Sequence, residues 1–490
     1  MTDEMMNIIQ SKEQFICVQA YAGCGKSTTM LEYVKANPKE KILFMVFNKE
    51  MQLDFANRLK GVENNCMVTT IHSLAYRWYM SQGYPKKSFK NISIIDIKNI
   101  LGGKLDYEKL SKIKFYFDMF LTSNVETPKD LTPLKKEDRV FFKHVDKLWE
   151  YFRVYSDYMP HNVYLKMYQL AKVKLNFETI IADELNDCNE VMLDLLVNNM
   201  DKKIIAVGDS QQAIMSFSFC IDGLAILRDK YGFKEYTLTN SFRVSETVAE
   251  LSSRFLTYMK NKPIKFHGLS KTKIGKLNML EANAETNQIH LLCRTKLGGL
   301  KEIAELLDKD DSKKIYYVGG LEGFGINEIE RILAYRGTVY IGGEKFHINQ
   351  LRAMLKKGVE DAEISRICSI YGFVEKNEDM IDILKSSETK SKKNADIIVL
   401  TSHVSKGLTL ENTLLARDFP PVEEIKRAIE KLKDSHSYIY NMASSEANLL
   451  YVAITRSTGI LDIGSAFKRD ELLSDNDKIQ GDLESSVYLK

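Results

Sequence analysis

The sequence has no apolar run of the ~18 to 20 residues that a helix needs to span a bilayer. Its first residues, MTDEMMNIIQ, have neither the basic stretch nor the apolar core of a secretory signal. The 7 cysteines are scattered without CxxC pairs, so neither a zinc-ligand spacing nor a disulfide framework is present. We therefore expect a protein that is not secreted and not bound to a membrane, with reduced thiols and no structural metal.

The net charge is also small, and the distribution of charge along the chain is more informative about possible partners. The formal charge is +3 over 490 residues, which neither favours nor excludes a nucleic-acid partner. Residues 76–172, however, carry 18 Lys and Arg against 11 Asp and Glu, and they include Trp78 and Trp149. The aromatic residues indicate the core of a helical subdomain. The basic excess has two interpretations, a solvated face or a surface that follows a nucleic-acid backbone.

The chain is too long for a single core, and about three or four folding units are expected. Short β-branched or aromatic runs alternate with helical stretches, which predicts an α/β fold with parallel sheets covered by helices on both faces. The predicted strands form two sets of five, one in the first half of the chain and one in the second. They are FICVQAY, KILFMVF, CMVTTI, ETIIADE and KIIAVGD, then IHLLCR, KIYYVGG, DIIVLTSH, NTLLARDF and GILDIGS.

Two sheet domains, each interrupted by a mostly helical insertion, are the simplest interpretation of this order. The first would comprise residues 1–75 and 173–235, with an insertion at 76–172. The second would comprise 236–298 and 396–470, with an insertion at 299–395. A polar tail, 471–490, would come last. The abundance of Lys, Asn and Ile suits an AT-rich genome, which favours a bacterium or a virus as the host. Without a secretory signal or a membrane span, we expect a cytoplasmic or nucleoid-associated protein.

The stretch AYAGCGKSTTM, between a predicted strand and a predicted helix, is typical of a phosphate-binding loop. Its glycines allow backbone N–H groups to turn toward phosphates, and the helix N-terminus adds partial positive charge. Lys26 would reach the β and γ oxygens and Ser27 would supply an oxygen to Mg²⁺. Ala20 stands where the general pattern has glycine. The predicted nucleotide-binding residues are Ala22, Gly23, Cys24, Gly25, Lys26, Ser27 and Thr28, with ATP and Mg²⁺ as cofactors.

Polar residues that come after two other predicted strands complete this chemistry. In TIIADELND, Asp183 would hold Mg²⁺ and Glu184 would act as general base on the attacking water. In IIAVGDSQQAI, Gln212 is placed to sense the γ-phosphate. An acidic pair alone is weak evidence, but together with the phosphate loop it becomes strong.

Two arginines come after apolar elements late in the chain, Arg243 in NSFR and Arg456 in LYVAITR. Phosphoryl transfer builds negative charge on the equatorial oxygens, and arginines from a second domain can neutralise that charge when the domains close. Taken singly, an arginine in such a position more often forms a surface salt bridge.

The order of these motifs carries the strongest inference. The loop, FNKEM, TTIHSLA, ADELND, VGDSQQAIMSF, NSFR, LLCRT, SHVSKGL and NLLYVAITR succeed one another along the chain. This order resembles the superfamily 1A helicases of the UvrD/PcrA type over residues 1–75, 177–298 and 396–465. The likeness is greatest to the F-box DNA helicase branch, which has a similar stretch to YYVGGLEGFGINEIERI. Because the chain begins almost at the phosphate loop, we expect the motor without an F-box.

The resemblance implies two RecA-like motor domains with the ATPase residues between them. It also implies a monomeric motor that moves 3′ to 5′ on single-stranded DNA and at junctions, with recombination or replication proteins as partners. By the same resemblance, Phe242 would stack on adenine and Gly407 would lie at the nucleotide. The positions that touch DNA in the family correspond to Asn48, Thr70, His72, Phe217 and His403.

Several positions depart from the family pattern. Met5 occupies the place of the adenine-reading glutamine, and the other departures are Asn186, Met215, Ser218 and Thr409. The hydrolytic residues are retained, so ATP hydrolysis is expected, whereas these departures affect the residues on which strong unwinding and strict adenine selectivity depend. A second hypothesis is an ATP-gated DNA-binding regulatory subunit that works with a nuclease or recombination partner. A third, a P-loop kinase or GTPase without nucleic acid, is disfavoured by TTIHSLA and by the late arginines.

Overall fold

The computed structural model describes residues 1–467 apart from 47, 63–64, 104, 342–343, 357–361 and 376–378. The predicted polar tail, 471–490, lies outside the described residues. The chain forms two compact units. The first comprises Met1–Leu238 and Ser435–Ser445, and the second comprises Thr239–Asp434 and the residues from Glu446 onward.

A six-stranded parallel sheet is the centre of the first unit. Its strands are β1 (Phe15–Ala20), β2 (Ile42–Val46), β3 (Cys66–Thr70), β6 (Thr179–Ala182), β7 (Lys203–Gly208) and β8 (Lys234–Leu238), in the order β3-β2-β6-β7-β1-β8. Two short strands, β4 (Ser88–Phe89) and β5 (Tyr158–Met159), pair separately. The five strands predicted for this part of the chain are confirmed. The sixth, β8, was not predicted because its sequence KEYTL is polar and its first residues are exposed at the sheet edge.

Both faces of this sheet are covered, which explains the continuous apolar sequence of its strands. Successive side chains of a strand point to opposite faces. In β1, Ile16 and Val18 join one hydrophobic core, while Cys17 joins the other. The helices of the first unit are α1 (Asp3–Ile9), α2 (Lys26–Ala36), α3 (Lys49–Arg58), α4 (Ile71–Ser81), α5 (Ile94–Leu101), α6 (Tyr107–Thr122), α7 (Phe142–Glu150), α8 (His161–Leu170), α9 (Glu190–Val197) and α10 (Gly223–Tyr231).

A third core in the first unit is built from α4 to α9 and is rich in aromatic residues. Phe117, Phe120 and Phe152 are fully buried, and Trp149 is nearly so. The aromatic clusters of the predicted insertion therefore form a hydrophobic core, as the sequence indicated.

The second unit has its own six-stranded parallel sheet. Its strands are β11 (Lys273–Ile274), β12 (Ile289–Cys293), β13 (Ile315–Tyr317), β16 (Ile397–Thr401), β17 (Thr413–Leu415) and β18 (Ile460–Asp462), in the order β11-β18-β17-β12-β16-β13. The five strands predicted here are also confirmed. β13 lies inside the range assigned to the second insertion, yet it pairs with β16 in this sheet. Two further pairs are β9 (Asn240–Ser241) with β10 (His267–Gly268), and β14 (Thr338–Ile341) with β15 (Glu344–His347).

The last helix of the second unit, α20 (Ser437–Ile454), also contributes its first residues to the first unit. The other helices of the second unit are α11 (Glu246–Lys260), α12 (Lys296–Leu307), α13 (Gly320–Gly323), α14 (Ile326–Ala334), α15 (Ile348–Lys356), α16 (Ala362–Val374), α17 (Met380–Ser387), α18 (Ser402–Ser405) and α19 (Val422–Lys431). The first residues of α20 belong to the first unit and those from Glu446 to the second. Within the described ranges, no helix is both long and apolar enough to cross a bilayer. The two parallel sheets confirm the α/β class with two RecA-like domains.

Candidate nucleotide-binding and DNA-binding sites

The phosphate-loop residues lie where β1 ends and α2 begins. Gly23 and Gly25 adopt left-handed backbone angles, with φ of 76° and 81°, which glycine adopts without steric cost. Gly25 is the N-cap of α2 and no side chain caps the helix there. The partial positive charge of the helix N-terminus is therefore presented at the carboxyl edge of the sheet, a suitable place for an anion.

Three predicted catalytic side chains meet at this edge. The Lys26 ammonium donates to Glu184, and its Nζ lies 3.4 Å from Oδ1 of Asp183. Burial by itself lowers the pKa of Lys26, but the negative charges of Asp183 and Glu184 outweigh burial, and the net direction is upward. Lys26 is therefore charged at neutral pH. The carboxyl ends of β1 and β6 bring together groups that are 158 positions apart in sequence.

Asp183 has one carboxylate oxygen that suits a cation. Its Oδ1 accepts the backbone N–H of Glu184 at 2.9 Å, whereas its buried Oδ2 has no hydrogen-bond partner within the described part of the chain. Burial raises the pKa of Asp183, Lys26 lowers it and Glu184 raises it, with a net upward shift. A buried oxygen without a donor is costly unless an ion or water satisfies it, and carboxylate oxygens are the ligands that Mg²⁺ prefers. With Ser27 in the first turn of α2, these residues fit a magnesium–nucleotide complex.

Glu184 is held in an unusual backbone conformation. Its φ of 54° and ψ of 36° are left-handed, a region that costs about 1–3 kcal/mol for a residue with a side chain. Such strain is concentrated at functional sites, where the surrounding structure enforces it. The position of the predicted general base is thus fixed by the fold around it.

A second polar network lies just beyond β7. Asp209 is buried, and its carboxylate accepts hydrogen bonds from Gln19 Nε2 and Gln212 Nε2, both at 2.7 Å. Burial raises the pKa of Asp209, and the hydrogen bonds only partly offset this effect. Gln212 is therefore oriented by Asp209. Gln19 was not predicted from the sequence, although a glutamine in an otherwise apolar strand was an available signal.

Asn186 and Asp187 connect the two carboxylate-bearing loops. The Asn186 side-chain oxygen accepts the N–H of Asp209 at 3.0 Å. Oδ1 of Asp187 accepts the N–H groups of Ile214 and Met215, both at 3.0 Å. Asn186, a departure from the family pattern, thus ties the segment after β6 to the one after β7, and Met215 takes part through its backbone.

Gly208 is required for this connection, and its replacement should destabilise the protein. A Cβ at Gly208 would lie 2.4 Å from Asn186 Oδ1 and 2.9 Å from Leu224 Cδ1. Gly208→Ala should lower the free energy of unfolding by about 1–3 kcal/mol, as overpacking generally does. Gly323→Ala is the matched control, because nothing lies within 4 Å of a Cβ there. Denaturant unfolding of both variants is the measurement, and equal stability of the two would contradict the prediction.

Met5 does not present a polar group for reading a base. It is 3% exposed and packs in the same core as Met30 and Tyr33 of α2. A thioether has no hydrogen-bond donor, so the residue in the place of the glutamine serves packing here.

The predicted residues of the second unit lie at the ends of its elements. Arg456 is fully buried and donates from Nε to Val452 O at 2.9 Å and from Nη2 to the Thr455 hydroxyl at 3.2 Å. Arg243 is half-buried, just beyond β9, and next to it Phe242 is 53% exposed. The remaining two residues lie at α18 and at the turn after it, and they are His403 and Gly407. Whether the arginines reach the phosphates held by the first unit stays a prediction.

A cleft of about 930 Å³ in the first unit contains two of the predicted DNA-binding residues, His72 and Phe217. The Phe217 ring is 49% exposed. Burial and then the neighbouring His161 lower the pKa of His72 to about 4, so the ring is neutral at neutral pH. The other aromatic residues that line the cleft are Tyr76, Phe89, His161, Tyr164 and Phe219. None of these was predicted from the sequence as a DNA contact.

Two further predicted DNA contacts have a local structural role. The Asn48 side chain caps α3 by accepting the N–H of Met51 at 2.9 Å. The Thr70 hydroxyl caps α4 by accepting the N–H of Ser73 at 3.2 Å. Both residues thereby fix the starts of the helices after β2 and β3 at the carboxyl edge of the sheet.

Comparison with known proteins finds one family model and two curated relatives that are similar to this chain. Residues 5–218 match the model of an AAA domain. Over 93% of its length the chain is 25% identical to "F-box DNA helicase 1" of Gallus gallus and 24% identical to "F-box DNA helicase protein 1" of Schizosaccharomyces pombe. These matches confirm the resemblance to F-box DNA helicases.

The two relatives are longer than this chain, and both are eukaryotic. The chain spans 48% and 56% of them, about half of their length. Their origin gives no support to the bacterial or viral host that composition suggested.

Proposed function

We propose that the protein is an ATP-dependent translocase on single-stranded DNA that acts as a helicase or displaces bound proteins. One observation carries the proposal. The Lys26–Asp183–Glu184 cluster and the aromatic cleft lie in the same unit. The segment 209–219 is hydrogen-bonded to Asn186 and Asp187, which follow Glu184 in the chain, and its Phe217 and Phe219 line the cleft. A motor requires such a connection between the hydrolytic site and the strand that it holds.

The residues of the cluster support ATP hydrolysis through a change of partner at Lys26. Its ammonium is paired with Glu184 and Asp183. A triphosphate would compete for this charge and release the Glu184 carboxylate, which could then take a proton from the attacking water. Ser27 and Asp183 are the residues that would hold Mg²⁺, whose charge favours the negative phosphate oxygens when it is bound.

The cleft supports binding of unpaired bases without sequence preference. Its aromatic residues offer faces and edges to bases, and each stacked base contributes about 1–3 kcal/mol. His72 is neutral, so its ring would act by stacking or hydrogen bonding and not as a cation. Movement from 3′ to 5′, action as a monomer, and work beside recombination or replication proteins are parts of this proposal that rest on the resemblance.

The test of the proposal measures ATP turnover with and without single-stranded DNA. DNA should stimulate turnover, and Phe217→Ala should weaken DNA binding about tenfold, the loss expected for one stacked base. Tyr155→Ala, at a residue of the same unit that is 70% exposed and does not line the cleft, is the control and should bind like the wild type. Turnover that is indifferent to saturating DNA would reject the motor and favour the kinase or GTPase class.

The second candidate is an ATP-gated regulatory subunit for a nuclease or recombination partner. Four residues that differ from the family pattern favour this candidate, and they are Met5, Met215, Ser218 and Thr409. In the family, the residues at these positions read the base or couple the two motor domains. ATP-dependent DNA binding without turnover would select this alternative. Strand displacement from substrates with 3′ or 5′ tails would decide the direction and separate unwinding from translocation alone.

A further inference from the structure

Three aromatic rings from distant parts of the sequence pack together in the first unit. Phe219, Tyr438 and Phe115 come from the end of the segment after β7, from the first turn of α20 and from α6. The Phe219 and Tyr438 rings are stacked, with centroids 4.9 Å apart and planes at 29°. Phe115 lies 5.2 Å from the Phe219 ring and 5.4 Å from the Tyr438 ring. We call Phe115, Phe219 and Tyr438 the aromatic triad.

Phe219 is the member of the triad that also lines the aromatic cleft. It lies two positions after Phe217, and both rings border the same cavity. Its φ of 58° is in the left-handed region, which is rare for a bulky residue. Phe219 adopts it at the end of a short 3-10 turn, where its N–H donates to Ser216 O, and its ring packs against those of Phe115 and Tyr438. A strand that moves Phe219 in the cleft would therefore act on Tyr438.

Tyr438 lies in the first turn of a helix that ends next to a predicted catalytic arginine. α20 is 18 residues long and continuous from Ser437 to Ile454, with Arg456 two residues beyond its end. Glu446, in the middle of α20, forms a two-pronged ion pair with Arg294, with N–O distances of 2.7 and 2.9 Å. An α-helix is stiff along its axis, so a displacement of the first turn is transmitted to the last.

We propose that Tyr438 is a positioning residue that connects occupancy of the aromatic cleft to Arg456. The connection runs from the strand in the cleft to Phe219, from Phe219 to Tyr438 by ring stacking, and along α20 to the arginine. The inference rests on the proposed function, since it explains how bound DNA would stimulate ATP hydrolysis. Tyr438 itself touches neither nucleotide nor DNA in this scheme.

Tyr438→Ala tests the proposal by separating stimulated from basal turnover. Stimulation of ATP turnover by saturating oligo(dT) should fall about tenfold, the scale of two lost aromatic contacts. Basal turnover and the Kd for oligo(dT) should stay within about twofold of the wild type, because Tyr438 does not itself line the cleft. Tyr438→Phe keeps the ring and should restore stimulation. Tyr440→Ala, on the same helix but outside the triad, is the control and should behave like the wild type.

The outcomes distinguish this inference from the proposed function. If the wild type is stimulated by DNA and Tyr438→Ala is stimulated equally, the connection through Tyr438 is refuted while the motor stands. If the wild type itself is not stimulated, the proposed function fails. A Tyr438→Leu variant keeps apolar packing and guards against a loss of folding. Stimulation in that variant equal to the wild type would also refute the role of the stacked ring.

Discussion

Lys26→Ala should reduce ATP turnover by roughly 10²–10³-fold or more, the loss typical of removing a preorganised charge-stabilising group. Lys26 is the cation of its cluster, at the N-terminus of α2 beside Asp183 and Glu184. Without it, the phosphate oxygens lose the ammonium that neutralises them in the transition state. The measurement is steady-state phosphate release at saturating ATP and DNA.

The control for this variant is Lys35→Ala on the same helix. Lys35 is 38% exposed and pairs only with the exposed Glu32 among the ion pairs of the described residues, so its loss should leave turnover unchanged. A folded Lys26→Ala protein with wild-type turnover would show that the nucleotide site is elsewhere.

Removal of Lys26 also has an expected cost in stability. It leaves the carboxylates of Asp183 and Glu184 side by side and mostly buried, and breaking a buried pair costs about 3–5 kcal/mol. The double variant Lys26→Ala with Asp183→Asn removes one of the two charges, so it should recover much of that stability while remaining inactive. Recovered stability in the double variant would show that Lys26→Ala is destabilised by the two carboxylates that it leaves unpaired.

The strands and the cluster at their ends could be predicted from the sequence for one physical reason. Parallel strands covered on both faces must be apolar throughout, so they are visible as continuous runs, and their carboxyl ends meet at one edge of the sheet. This is why Lys26 and Glu184 could be expected to meet although they are distant in the chain. The edge strands β8 and β11 were missed because a half-exposed or two-residue strand has no such run.

Contacts made between side chains and distant backbone were not predictable in this way. The hydrogen bond from the N–H of Asp209 to Asn186 depends on where two loops approach, and no sequence pattern encodes it. From the sequence, Asn186 was only a departure from a family motif. Likewise Tyr438 belongs to no motif, and its stacking on Phe219 emerges only from the folded first unit.

The second large effect is expected for Arg456→Ala, which should lower kcat for ATP by roughly 10³-fold or more, as for other arginines that stabilise phosphoryl transfer. A structural role must be separated from a catalytic one here, because Arg456 is fully buried and hydrogen-bonded to Val452 and Thr455 of its own segment. A purely structural arginine would lower the melting temperature but leave kcat per folded molecule unchanged. A catalytic one would lower kcat while the Kd for ATP changes little.

Two comparisons separate these roles of Arg456. Arg456→Lys keeps the charge but loses the planar fork of donors, so a catalytic arginine predicts low activity even where the lysine variant is stable. Arg417→Ala, at a 43% exposed arginine of the same unit, should leave kcat unchanged. If Arg456→Ala retains wild-type kcat below its melting temperature, Arg456 only anchors the end of α20. The proposed route from Tyr438 along α20 would then end at a residue that does not act on the phosphates, and Tyr438 could not influence hydrolysis through Arg456.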